Sequence, residues 1–272
     1  MRILGCGAFA LVFIASLSAA HAEEVVAPLS NPALNDRFFV FVGAYIPKSA
    51  TSAQLNSTTL GAGTNIDFEQ ALGIQTQKGV PDVGARIRLS ERWRIEAEYF
   101  QLDRNGDRTS DREIQWGDNV FPVNTQITSR FDVSDTRISG GYSFFKTPDK
   151  ELGAGLGLHV LKYDASLSAA SVGTQAGGVT APLPVLSLYG QFALTDHWAI
   201  GSRVDWLSLS YDKYSGSITS LSADLMYQPF RHLGFGLAYR SLFVDFSSTN
   251  SGWTGKVNQS FQGPLVYLNA SF

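Results

Sequence analysis

Charged side chains recur at every second position in several stretches of this chain. Arg86, Arg88, Arg94, Arg137, Arg203 and Arg240 supply positive charge, and Asp82, Glu96, Glu98, Asp135, Asp205 and Asp224 supply negative charge. Each shares its side of a strand with Gly, Ser or another polar residue. Groups of opposite sign that leave water together persist only when paired and hydrogen-bonded, so this set reads as a salt-bridged interior. A charge-lined pore constriction or proton relay is the alternative chemistry. If Leu89 pairs with Trp93, Arg86 lies opposite Glu96 and diagonal to Glu98.

Little else points to catalysis. His159 falls on the same polar side as the charges, near Arg137, with no Ser or carboxylate at a motif spacing that would complete a triad. His197 and His232 fall in short turns. Asp103-Arg104-Asn105-Gly106-Asp107 resembles half of a calcium loop but lacks the downstream Glu, and reads as a surface turn. Gly153-x-Gly-x-Gly continues a strand with no helix after it, which is not how a phosphate loop is built. The expectation is a protein without catalytic residues, metal or cofactor.

The elements that hold these charges are strands. After residue 22 the longest apolar run, Phe38 to Ile46, is far shorter than a spanning helix requires. Around Ser90-Glu91-Arg92, Val83, Ala85, Ile87 and Leu89 alternate with Asp82, Gly84, Arg86 and Arg88. On the return, Trp93, Ile95, Ala97 and Tyr99 alternate with Arg94, Glu96 and Glu98. Segments of about ten residues with this alternation are the mark of a transmembrane β-barrel, apolar outside and polar inside.

The expected fold is therefore all-β, an antiparallel transmembrane barrel of about ten strands, with eight to twelve open, over residues 37–272. The strands fall near 37–46, 80–90, 92–104, 125–146, 151–168, 182–194, 197–211, 217–229, 233–246 and 258–272. Between them, connections 47–79, 105–124, 169–181, 212–216 and 247–257 form one set, most of them long, alternating with four short turns. Long surface loops and short periplasmic turns alternate in this way when both termini are periplasmic. Residues 64–74 could extend a strand through a bulge or form a loop.

Composition fits this picture. The 272 residues are 44% apolar and only 17% charged, with 26 Gly and a net charge of −3, which excludes a disordered chain and gives no basic stripe for nucleic acid. Residues 1–22 read as a signal peptide, with Arg2, an apolar core and Ala20-His21-Ala22 as the processing site, cleaved after Ala22. Cys6, the single Cys, lies within it, and residues 23–36 form a periplasmic N-terminal segment. At the other end Val266, Leu268, Ala270 and Phe272 make the outer face of a last strand that ends on an aromatic.

With the strands placed, the chain resembles small bacterial outer-membrane barrels of the OmpW/OmpA-like kind. The resemblance rests on the leader, the alternating strands, the loop asymmetry and Phe272. It implies a bacterial outer-membrane location, with outer-membrane lipid and the barrel-assembly machinery as partners and Phe272 as the assembly signal. Passage of small, hydrophobic molecules or an envelope structural role is implied as function, with the ligand unnamed. A surface adhesion barrel and an outer-membrane lipid-modifying hydrolase are the competing functions.

Overall fold

In a computed structural model the chain is described over residues 29–57, 59–211, 214–250 and 253–272. The signal peptide, Ala22 and Cys6 lie outside the described residues. The first element is a one-turn helix, α1 (Pro32–Asn35), capped by the Asn31 side chain. The strands that follow are β1 (Phe38–Tyr45), β2 (Lys48–Leu55) and β3 (Ile66–Asp67), then helix α2 (Phe68–Leu72). After it come β4 (Val80–Arg88), β5 (Trp93–Thr109), β6 (Ile114–Trp116), β7 (Asn119–Phe121), β8 (Gln126–Lys146) and β9 (Lys150–Ala169). The last are β10 (Gly173–Ala193), β11 (Trp198–Tyr211), β12 (Tyr214–Tyr227), β13 (Leu233–Asn250) and β14 (Trp253–Ser271).

Ten of these strands close a ring in the order β1-β4-β5-β8-β9-β10-β11-β12-β13-β14, sealed by β1 against β14. Within the lower barrel closure leaves no strand edge, which is what a sheet exposed to hydrocarbon requires. At the seam the backbones of Phe38 and Phe272 exchange two hydrogen bonds, and their rings lie 5.6 Å apart. Beyond Tyr45 the chain breaks at Ile46-Pro47 and continues as β2 along the upper half of β14. Gly263 faces that break, where a Cβ would come within 2.2 Å of the Ile46 carbonyl oxygen.

The outer surface of the lower barrel is apolar. Leu156, Leu188, Val266 and Leu268 are all more than half exposed, with Trp93, Tyr142, Phe144 and Trp198 toward the turn end and Tyr99, Trp206 and Tyr239 toward the loop end. A contiguous band of this kind flanked by aromatic girdles is stable only against hydrocarbon.

At the upper edge of the band the composition of the two faces exchanges, although the alternation does not slip. On β5 the outward face runs from Trp93, Ile95 and Tyr99 to Gln101 and Asp103, while the inward face runs from Arg94, Glu96 and Glu98 to Phe100 and Leu102. The same exchange occurs on β8, where Ile127, Phe131 and Val133 precede inward Asp135, and on β9, where His159 precedes inward Leu161 and Tyr163. Above the band the barrel is thus an ordinary water-soluble shell around an apolar core, which we call the crown. Its filling comes from the chain between β2 and β4. Phe68 of α2 packs edge-on to Phe131 at 4.8 Å and against Trp116 of the β6–β7 hairpin at 5.7 Å.

Several connections therefore differ from the sequence expectation. Residues 48–55 are wall, residues 66–72 form a short strand and helix inside the barrel mouth, and residues 173–181 are paired strand along their whole length. The reason is common to all three. They lie above the hydrocarbon band, where the apolar-outside pattern no longer applies. Asp103-Arg104-Asn105-Gly106-Asp107 is likewise part of β5 and not a turn: Arg104 points inward, and Gly106 admits α2, a Cβ there meeting the Leu72 oxygen at 2.5 Å. Of the segment 23–36, the described residues 29–36 plug the turn end of the barrel. Ala33 and Leu34 are fully buried, and Asp36 pairs with Arg231.

Two tyrosines lie flat on glycines of the neighbouring strand, Tyr189 over Gly153 and Tyr267 over Gly236. A Cβ on Gly236 would fall 1.9 Å from the Tyr267 ring, whereas one on outward-facing Gly140 would meet nothing within 4 Å. Gly236→Ala is expected to lower refolding stability by about 1–3 kcal/mol by overpacking, and Gly140→Ala to stay within about 0.5 kcal/mol of the parent. Urea titration of refolded protein in vesicles checks the ordering.

Candidate functional site

All twelve charged residues singled out in the sequence face the lumen: Asp82, Arg86, Arg88, Arg94, Glu96, Glu98, Asp135, Arg137, Arg203, Asp205, Asp224 and Arg240. They are arranged as layers along the barrel axis. At the turn end Glu151, fully buried, accepts from Arg88, from Arg94 at 3.3 Å and from the Ser143 hydroxyl at 2.5 Å. Lys146 stands 3.8 Å from the same carboxylate and donates to Asn35 of the plug at 2.7 Å. Arg86 and Arg88 reach down to the carbonyls of Ala33 and Leu34, where a helix end has unmet acceptors.

The next layer centres on Glu96. Arg94 approaches it to 3.0 Å, Arg137 to 3.3 Å and Arg203 to 2.5 Å. Arg137 also bridges to Glu98 at 2.7 Å, and Arg240 joins Glu98 to Asp82, the latter at 2.7 Å. Asp224 stands without a salt bridge among the described residues, on the wall of a void of about 100 Å³ shared with Glu96, Arg203 and Tyr267. The expected pairing of Arg86 with Glu96 does not form. The two are register partners on β4 and β5, but the Arg86 guanidinium turns to Gln191 at 2.9 Å and to the plug. Register places a Cα; a long side chain goes where unmet acceptors are.

Nearest the crown, His159 sits between two carboxylates, its Nδ1 2.8 Å from Asp135 and its Nε2 3.5 Å from Asp205. Ser187 donates to Asp205 at 2.5 Å, while Arg203 donates to Ser187 at 2.8 Å and to both oxygens of Asp205. A nucleophilic Ser needs its hydroxyl against a ring nitrogen that can take the proton. Here both ring nitrogens face carboxylates and the hydroxyl is held by Asp205. The contacts are those of a closed polar network.

Above this layer Tyr45, Phe100 and Phe261 form an aromatic step, with centroids 5.5 and 5.9 Å apart, and the apolar crown begins. Among the described residues one ion pair penetrates the crown. Arg104, with no exposed surface, joins Glu69 of α2 at 2.5 Å and Thr51 at 2.6 Å, and stacks over Phe131. His197 and His232 lie at turns as expected, each with Nδ1 beside a backbone carbonyl.

Residue reasoning missed Glu151, Arg104 and Glu69. Glu151 shares the parity of Gly153, Gly155, Gly157 and His159, so carrying the alternation one step closer to the turn finds it.

This geometry, ten antiparallel strands around a polar lumen with an apolar outer band, has counterparts among solved structures. The outer membrane protease OmpT from Escherichia coli superposes with a TM-score of 0.54 over 88% of this chain and 97% of its own, at 11% identity. The chain has the fold of an outer-membrane β-barrel. Looser similarity extends to the toluene transporter TodX of P. putida, with a TM-score of 0.36 and 12% identity over 90% of this chain and 93% of that one. The attachment invasion locus protein Ail of Yersinia pestis gives 0.35 and 10% over 84% and 98%. No protein-family model and no curated protein matches the sequence.

Proposed function

We propose that this chain is an outer-membrane barrel of a Gram-negative envelope, with both termini periplasmic, whose lumen is closed and whose role is structural and not that of an aqueous pore. The observation that carries this reading is the unbroken stack of ion pairs from Arg88–Glu151 through Glu96 and Glu98 to Asp135–His159–Asp205. Beneath it α1 fills the turn end, and above it α2 and the β6–β7 hairpin fill the loop end. Guanidinium and carboxylate groups that satisfy one another hold no mobile hydration shell and offer no vacant site to a passing ion. The spaces left within the stack hold about 100 and 40 Å³, enough for a few waters and too small for a sugar.

Resemblance to the OmpW/OmpA-like barrels is consistent with the location but brings passage of hydrophobic molecules, and an axial route lined by this many charges does not favour it. The band of outward apolar residues supports lipid as the surround, and Phe272, which closes the seam against Phe38, is suited to recognition by the assembly machinery. Envelope fractionation combined with liposome swelling tests the reading. The mature protein is expected in the outer-membrane fraction beginning at Glu23, and refolded protein is expected to leave vesicles no more permeable to arabinose than protein-free ones. Swelling at a porin-like rate would overturn it.

A further inference from the structure

The wall of the barrel has one place where two neighbouring strands part. β10 is paired with β9 over its whole length, from Gly173 to Phe192, but with β11 only from Leu186 to Ala193. Beyond Trp206, β11 is laddered to β12 alone. Pro182 and Pro184 lie on β10 just above the parting, and a proline has no N–H with which to extend a ladder. The crown has a second discontinuity, between β2 and the upper half of β5. There the chain's own segment closes it, with Arg108 donating to the Gln70 carbonyl and Arg104 to Glu69. No described segment of this chain closes the parting between β10 and β11.

Behind the parting is an apolar cavity of about 430 Å³, lined by Pro182, Leu183, Leu207, Leu209, Ile218 and Phe246. Its volume falls within the range of about 300–1,000 Å³ typical of ligand sites. No ionisable side chain lines it. Leu209 has inward parity yet is 52% exposed, because the wall that would cover it is missing. The mouth opens at the level of Leu186 and Trp206, the top of the apolar band, so the lining continues the band's surface from outside to inside. That height also makes the parting tolerable: strand edges left without a partner must meet water or headgroups, which they can do at the boundary and not at the bilayer centre.

We propose that this opening holds a hydrocarbon chain of a lipid in the adjoining leaflet, inserted sideways between β10 and β11 while its headgroup stays at the boundary. The occupant is a lipid chain because the cavity is continuous with the lipid-facing band, opens at headgroup depth and contains no charge for a polar solute to meet. The site is distinct from the lumen network, so it stands or falls independently of whether the axis conducts.

Tryptophan quenching tests the assignment. Phe246→Trp places a probe inside the cavity, and Phe131→Trp places one in the crown core away from the parting, each in protein whose native Trp residues are replaced by Phe. In vesicles of chain-brominated phosphatidylcholine, the Phe246→Trp probe is expected to lose most of its fluorescence, as a lipid-facing Trp206 does, while the Phe131→Trp probe keeps its own. Gly216→Leu fills the space between Leu183 and Phe246, where a Cβ already comes within 3.3 Å of Leu183, and is expected to abolish the quenching. Equal, weak quenching at both probes overturns the proposal. So does quenching by a brominated free alkane in vesicles where brominated lipid has no effect, which would assign the site to a small apolar solute. Native mass spectrometry of the unsubstituted protein is the second measurement: a retained phospholipid supports the assignment, and release of lipid-free barrel under gentle conditions overturns it.

Discussion

Glu151→Ala is expected to be among the most damaging single changes to the barrel. Its carboxylate is fully buried and is shared by Arg88 and Arg94, themselves only 5% and 4% exposed, with Ser143 and Lys146 at its edge. Removing it strands two guanidinium groups at the turn end with no water to take them up. Breaking a buried pair from one side typically costs about 3–5 kcal/mol, because the remaining charge is uncompensated. The loss should appear as a large shift in the urea midpoint of refolded protein. Arg88→Ala in the same background should recover part of it, since the double change removes both members of a pair. A double-mutant cycle that returned no coupling between Arg88 and Glu151 would mean both are solvated, and the lumen would then be an aqueous channel.

The second large effect is expected on the opposite face of the wall. Leu156 and Leu188 are 68% and 61% exposed on adjacent strands, near the middle of the apolar band. Leu188→Arg should cost roughly 2–4 kcal/mol, the penalty for a cation at the bilayer midplane, and the same change at Gln101, outside the band on β5, should cost close to nothing. Refolding titrations in vesicles give both values. A Leu188→Arg barrel as stable as its parent would place that surface in water and remove the basis for the transmembrane reading.

How much of this was legible beforehand depends on depth in the membrane. Inside the band every strand carries an apolar face against a polar one, and Val83 to Tyr99, Ile138 to Phe144 and Leu221 to Tyr239 declare themselves. Above the band the faces exchange character, as at Tyr99 and Phe100, and a reader looking for apolar residues outside loses the strand there. β10 is the extreme case, since Gly173 to Thr180 offers Gly, Gln, Gly and Val on one face and Thr, Ala, Gly and Thr on the other. Helix α2 did carry a signal, Asp67 as the N-cap whose carboxylate accepts from the Gln70 N–H at 2.8 Å and Gly73 in the left-handed region at φ 66°, but five residues are too few for helical periodicity to register.

The candidate site was legible as a face and not as a set of contacts. Parity put all twelve charges indoors. It could not say that Arg86 would turn from Glu96 to Gln191 and the carbonyl of Ala33, because that depends on residues 30–36 folding back into the turn end of the barrel. Nor could it reveal the parting of β10 from β11, which depends on where a ladder stops and not on which residues alternate.

The closed lumen is tested most directly by single-channel recording of the refolded, unsubstituted protein in a planar bilayer. Ion pairs stacked from Glu151 to Asp205, plugged by α1 below and α2 above, predict a membrane whose current stays at the protein-free baseline across the voltage range that leaves bilayers intact. Stable ohmic steps, appearing once per inserted barrel and scaling with salt concentration, would contradict the account.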